Sequence, residues 1–311
     1  MKAISLVFLN GTFVAEQSML SALPSDVAFD FTKGVSLHFP KTVMMDIPIH
    51  LLFLTNKNVV FQKKIIVAEN VQVSIIEEHV MLQAVACAVE MTAEIVLEKL
   101  AHCYYYKKHN KTQGGHYLNS LQVIQKNQSH FAMWTSDMGT TDLKQQVDVV
   151  LQESHATCQL HGLYALNDDQ ESHQQDIKIE HVAPHGTSAM FFKGILDQQS
   201  RANFKGKVHV HKTATQTKAL QANHTLLLSH KAEVRTQPEL EIHAEDIQCA
   251  HGATVSEVDD AALFYLRSRG MNKDNALRML ISAFTAEVMH KIPHHDIKRY
   301  FMKELGLYEE Y

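Results

Sequence analysis

Between about residue 43 and residue 251, hydrophobic positions recur in short β-prone bursts separated by polar corners. The bursts fall at 49–54, 58–61, 64–68, 71–76, 93–97, 131–135, 147–151, 158–166 and 177–181, then at 190–196, 203–210, 225–229 and 240–244. In FKGKVHV, Phe204, Val208 and Val210 share one face of an extended chain, while Lys205, Lys207 and His209 share the other. So many strands without intervening helices predict an all-β body. A sandwich turns through tight hairpins and consumes glycine and proline, yet the chain holds only 12 and 6 of them. The corners are instead rich in Gln, Asn, Asp, Ser and His, which bond to their own backbone. This favours a mainly β fold, a parallel β-helix in which each coil buries its inward residues on the one below. The sequence repeat itself is weak.

The flanks read differently. Residues 5–8 and 12–14 alternate around Asn10-Gly11, predicting a small hairpin. Residues 25–41 show little periodicity. Segment 79–101 is ambiguous: Met81, Leu82, Ala84, Ala86 and Ala88 suit a helix, whereas Ile95, Val96 and Tyr104 to Tyr106 suit strands. From Ser256 onward the spacing turns helical. Ser256, with Asp259 three residues on, is predicted to cap a first helix closed by Gly270. Asn272 is predicted to cap a second, with Leu277, Leu280, Ile281, Phe284 and Val288 as its apolar stripe. Pro293 would open a third, with Ile297, Tyr300, Phe301 and Leu305 on one face and Gly306 at its end. These stripes are expected to dock on the strand body. The expected division is a short N-terminal segment (1–40), a β-helix core (41–252) and a C-terminal helical domain (253–311).

Composition narrows the functional classes. The chain is 45% hydrophobic and 20% charged, with a formal net charge of −5. It can bury a core, and it offers no general electrostatic attraction to nucleic acid. Its four cysteines are far apart with no CxxC, which argues against a local zinc knuckle and fits a reducing compartment. The N-terminal apolar run is too short to span a membrane and lacks a signal-type cleavage site. A soluble cytoplasmic protein is the expectation. No GxxxxGK[ST], GxSxG, HExxH or GxGxxG occurs, so nucleotide hydrolysis by this chain alone is not expected.

The candidate chemistry lies mostly between 239 and 252. Cys249 and His251 are two apart and so share a face of a strand. A thiolate and an imidazole there are candidate metal ligands, although two ligands do not complete a site. The alternative is a buried cysteine acting as a small hydrophobe beside a hydrogen-bonded histidine. Glu239, Glu241, Glu245 and Asp246 form an acidic cluster, read as a solvated strand face or, in the enzymatic alternative, as paired carboxylates. His181 and His185 flank Pro184 as a loop pair. His209 and His211 share a strand face, with metal use a weak signal.

The phrases SAMFFKGILDQQSRANFKGKVHV, KTATQTKALQANHTLLLS, AEVRTQPELEIHAEDIQCAHGAT and LFYLRSRG occur in order between 188 and 270. They resemble the conserved core of the SufB/SufD family of iron–sulfur cluster assembly proteins, and the likeness extends upstream to about residue 36 through PIHLLFLT and MTAEIVLEKLAHCYYYKKHNKT. CAHGAT, with Gly252, is similar to the SufD side, since SufB-like chains tend to carry Glu there. The resemblance implies a right-handed parallel β-helix with C-terminal helices and a non-catalytic scaffold subunit of a cytoplasmic SufBCD-type complex. It implies pairing with SufB through the β-helix end and docking of the SufC ATPase through helices in 259–292, with no nucleic acid and no membrane. It makes His251, with Cys249 close by, a holder of iron or a nascent cluster together with a SufB cysteine. No cofactor is then tightly bound to the isolated chain, and iron or the cluster is transient in the complex. Two departures from the family pattern stand out: Ser256 replaces a usual Gly, and the N-terminal region is short, its helical segment largely missing. Two other classes are a polysaccharide-acting β-helix enzyme using Glu241 or Asp246, and a self-associating structural solenoid.

Overall fold

The computed structural model describes residues 2–82, 87–110, 112–169 and 171–304. Its strands are β1 (Ile4–Leu9), β2 (Thr12–Phe13), β3 (Ala28–Asp30), β4 (Val35–Phe39), β5 (Ile49–Thr55), β6 (Val59–Val67), β7 (Gln72–Met81), β8 (Cys87–Leu97), β9 (His102–His109) and β10 (Thr112–Gln125). They continue with β11 (His130–Met138), β12 (Thr140–Leu151), β13 (Thr157–Leu166), β14 (Ser172–His181), β15 (Thr187–Leu196), β16 (Arg201–Val210), β17 (Lys218–Leu227), β18 (Glu233–Ile242) and β19 (Gln248–Glu257). Three helices follow: α1 (Asp260–Ser268), α2 (Lys273–Met289) and α3 (His295–Glu304).

From β5 on, odd-numbered strands fall in one sheet and even-numbered strands in the other, and each pairs in parallel with the strand two places on. The chain therefore winds as a parallel β-solenoid, as the strand bursts and scarce glycine predicted. One coil comprises one strand of each sheet. The two N-terminal hairpins join the first coils: β1 pairs in parallel with β5, and β4 with β6. The β1–β2 hairpin turns at Asn10 (φ 50°) and Gly11 (φ 82°), the left-handed pair that the Asn-Gly dipeptide predicts.

A conformational repeat hides beneath the weak sequence repeat. Asn70, Leu100, Gln128, His155, His185, Gln216 and Asp246 all have positive φ and recur about every 30 residues. At each of these corners up to Gln216 the backbone N–H donates to a carbonyl of the next coil, for example Leu100 to Asn127 at 2.9 Å and Gln216 to Asp246 at 2.9 Å. The corner stack supplies hydrogen bonds that would otherwise fall to the turn's own side chains. Residue identity is thus free to vary while backbone shape does not.

Several expectations need correcting. The segments 58–61 and 64–68 are one strand, β6. The ambiguous segment 79–101 resolves as strand and turn where it is described: β8 takes in the expected burst at 93–97 and also Ala88, which suited a helix, because Val89, Met91, Ile95 and Leu97 all point into the solenoid and are buried there; residues 83–86 lie outside the described residues. Ser256 caps nothing: it lies inside β19, and Asp259 caps α1 by accepting from the N–H groups of Ala261 and Ala262. Gly270 (φ 95°) closes that helix and Asn272 caps α2, both as predicted. Leu305 and Gly306 lie outside the described residues.

The helical tail folds back on the outer face of the odd-numbered sheet. Ile76, Tyr106, Trp134, Leu163 and Ile195 of that face form one buried cluster with Val288, Met289, Ile292, Ile297 and Phe301. Lys193 ties α2 down, donating to the Phe284 carbonyl at 2.8 Å and pairing with Glu287 at 2.7 Å. The Tyr300 hydroxyl of α3 donates to Glu78 at 2.6 Å. Among the described residues, no helix is long and apolar enough to cross a membrane.

Candidate functional site

The last coil is β18 and β19, and among the described residues no strand pairs with the far side of either. Ala219 and Gln221 of β17 are buried and point inward; in register they lie opposite Cys249 and His251 of β19. Cys249 and His251 therefore take the inward parity of a coil that no described strand covers. Of all β19 residues only Cys249 is half-buried, and the rest, His251 included, are exposed.

Cys249 lies against Val208, Val210, Ala214 and Ala219, the last apolar cluster of the interior. Burial raises its thiol pKa, and a backbone N–H from Ala219 partly offsets this. The resting group is a protonated thiol, so binding a soft ion there releases a proton. Successive inward residues of a strand are about 7 Å apart, so Cys249 and His251 can face one bound species from two sides but leave it incompletely coordinated. Outward-facing Gly252 has nothing within 4 Å of the place where a Cβ would be. Its glycine is therefore not demanded by packing, and a larger side chain has room.

The other predicted residues lie elsewhere. His181 is buried at the end of β14 with its Nε2 2.8 Å from the Ser188 hydroxyl, whereas His185 stacks on His155 at a corner (centroids 4.5 Å apart), so the two do not form a pair. Glu239 and Glu241 face outward from β18, paired with Lys205 (3.7 Å) and Lys207 (2.6 Å). Lys207, then His243, holds the Glu241 carboxyl down to about 2. Asp246 is a corner residue with φ 54°. His209 and His211 lie at the outer face of the even-numbered sheet, not with Cys249 and His251.

Sequence reasoning missed a line of buried polar groups inside the solenoid. Lys63, Glu77 and Tyr105 form a hydrogen-bonded triad, with His79 2.7 Å from Glu77. Burial, with Lys107 nearby, lowers the Lys63 pKa. The His79 ring stacks on His109 (4.8 Å), and Asp137 accepts from His109 (2.6 Å) and His173 (3.2 Å). His173 stacks on Tyr164, whose hydroxyl is 3.1 Å from Thr225; Asn223 donates to Thr236 of the last coil at 2.9 Å. The available signal was parity: Glu77 and His79 continue the inward series of Val73 and Ile75, where an apolar residue is the norm.

Residues 53–284 match the SufBD core domain of the SUF system for FeS cluster assembly. The chain is 28% identical over 336 residues to an iron–sulfur cluster assembly SufBD family protein of Synechocystis, covering 93% of this chain and 74% of that one. It is 39% identical over 128 residues to the iron–sulfur cluster assembly protein SufD of Escherichia coli (41% of this chain, 30% of that one). It is 24% identical over 277 residues to SufD of Bacillus subtilis (86% and 62%). The matches thus span less than two thirds of either SufD protein. A profile match over most of the chain, on a parallel solenoid that ends in an open coil, establishes the kinship: the chain belongs to the SufBD core family of the SUF iron–sulfur cluster assembly system.

Proposed function

We propose that the chain is a SufD-like, non-catalytic scaffold subunit for iron–sulfur cluster assembly in the cytoplasm, which pairs through its open last coil with a SufB-type subunit. The observation that carries this reading is the uncapped β18–β19 coil. Its edges offer unpaired backbone donors and acceptors, and Ile242 and Val255 are left exposed on a face that every earlier coil buries. A second solenoid abutting this end would cover them and add ligands to Cys249 and His251. Iron or a nascent cluster is then cargo held between subunits, which answers the shortage of ligands within one chain. A SufC-type ATPase would dock on the tail at α1, which buries none of its residues and leaves Phe264 and Tyr265 exposed. The glycosidase alternative has little support: a general acid needs a raised pKa, whereas that of Glu241 is lowered.

The test is co-expression with SufB- and SufC-type subunits, followed by stoichiometry and iron content. The reading expects a stable heteromeric complex. His251→Ala should leave that complex intact and lower cluster yield on reconstitution with iron and sulfide; Cys249→Ser should show the smaller defect. Normal yield with His251→Ala removes His251 from the mechanism. A chain that forms only homo-oligomers, indifferent to iron and sulfide, favours the structural-solenoid alternative.

A further inference from the structure

Strands β14, β16 and β18 carry imidazoles and carboxylates at matched positions on the outer face of the even-numbered sheet. In register, Glu180 lies opposite His209, and His209 opposite Glu241. His211 and His243 lie two residues beyond His209 and Glu241, just past the ends of β16 and β18. Parallel strands stand about 4.8 Å apart, and residues two apart share a face. Five side chains from three coils are thereby brought together.

The distances are those of a ligand set. The ligating atoms of Glu180, His209 and His211 all lie within 4.8 Å of one another, as do those of His209, Glu241 and His243. The His209 ring centroid is 4.1 Å from that of His211 and 5.5 Å from that of His243. His211 Nε2 is 3.3 Å from Glu180 Oε2, and His243 Nε2 is 3.0 Å from Glu241 Oε1. Two ligand atoms each about 2.1 Å from one ion stand about 3–4 Å apart, so small rotations of these side chains close either set. Lys178 and Lys207 approach the opposite oxygens, Glu180 Oε1 and Glu241 Oε2. They keep each carboxylate charged and oriented while leaving free the oxygen that faces the histidines, the part an outer-shell partner plays.

We propose that His209 anchors a divalent transition-metal site on this face, joined by Glu180 and His211 or by Glu241 and His243, and that the isolated chain binds one such ion there. Two imidazoles and one carboxylate suit first-row ions such as Fe²⁺, Co²⁺ or Zn²⁺, whereas Mg²⁺ and Ca²⁺ seek oxygen alone. The site lies on the opposite sheet from Cys249 and His251, needs no partner subunit, and is independent of the assembly reading.

The test titrates the untagged, metal-free chain with Co²⁺ and then displaces it with Zn²⁺. The expectation is one equivalent with visible d–d absorption and no thiolate-to-cobalt band in the near ultraviolet, unaffected by excess Mg²⁺. His209→Ala should weaken Co²⁺ binding by more than the about 10-fold to 100-fold that loss of an outer-shell partner costs. His211→Ala and His243→Ala should each weaken it less, because one set survives. The paired change Glu180→Gln with Glu241→Gln, which keeps the shape of the surface, should match His209→Ala. Cys249→Ser with His251→Ala, and His155→Ala with His185→Ala, should change nothing. Unaltered binding in His209→Ala overturns the proposal. So does a thiolate band lost in Cys249→Ser, or weak binding equally reduced by the His155 and His185 changes, the mark of scattered surface histidines.

Discussion

At the residue scale, the interior depends on fitting large side chains over absent ones. Tyr164 of β13 lies beside Gly194 of β15, where an added Cβ would come within 2.2 Å of the tyrosine ring. Phe192 likewise occupies the space over Gly162, where a Cβ would meet its ring at 2.1 Å. Neither glycine has a left-handed backbone, so space rather than conformation selects them. Gly194→Ala is expected to lower stability by about 1–3 kcal/mol, read as a lower urea midpoint at an unchanged slope. The buried Asp137 poses a different problem. Burial opposes its charge, but hydrogen bonds from His109 and His173 prevail and hold its pKa well below the usual carboxylate range. Asp137→Ala should cost about 1–3 kcal/mol for each ring N–H left without an acceptor, measured by the same titration. A substitution there that proved neutral would show that water satisfies both rings. Inward parity was legible in the sequence at these positions; the pairing of residues 28 and 36 apart in the chain was not, because it follows from coil length.

At the scale of elements, the helical tail is held by an apolar stripe and a few buried polar ties. The stripe was legible from its spacing, since Ile281, Phe284, Val288, Ile297 and Phe301 all join or border the buried cluster. Its receiving surface was not, because it is assembled from the outward residues of five separate strands. His161 of β13 is 5% exposed beneath this tail. Burial, then the Lys291 charge, lowers its pKa to about 4. The unfolded value is about 6.5, so the unfolded chain takes up a proton first. The contribution of neutral His161 is fully present above pH 6.5 and is lost as pH falls toward 4, amounting to about 3 kcal/mol. His161→Phe should flatten this part of the pH–stability curve; an unchanged curve would show that other groups set it. Lys193→Met removes the donor to the Phe284 carbonyl and should speed amide exchange in α2 while leaving the central strands unaffected.

At the scale of the molecule, each coil protects the one beneath it and the last is left bare. Hydrogen exchange should therefore be fast in β18 and β19 and slow from β9 to β15, with β18 and β19 becoming protected when a SufB-type subunit is added. Protection that instead appears on α1 alone would place the subunit contact on the tail. The design also makes one end an adhesive edge in the free chain, so the isolated protein is expected to self-associate, and less so once that end is covered.

The strand bursts, the scarcity of glycine, the polar corners and the terminal stripes determined a solenoid with a helical tail, because alternation and helical spacing are local properties written into neighbouring residues. The phrase around Cys249 and His251 marked the family and the pair. Only the tertiary structure decided that this pair lies in the last described coil, that a line of buried polar groups runs through the interior, and that Glu180, His209, His211, Glu241 and His243 meet on one outer face. Those outcomes depend on which residues coincide after a coil of about 30. That length is set by backbone shape at the corners, and no residue type spells it out.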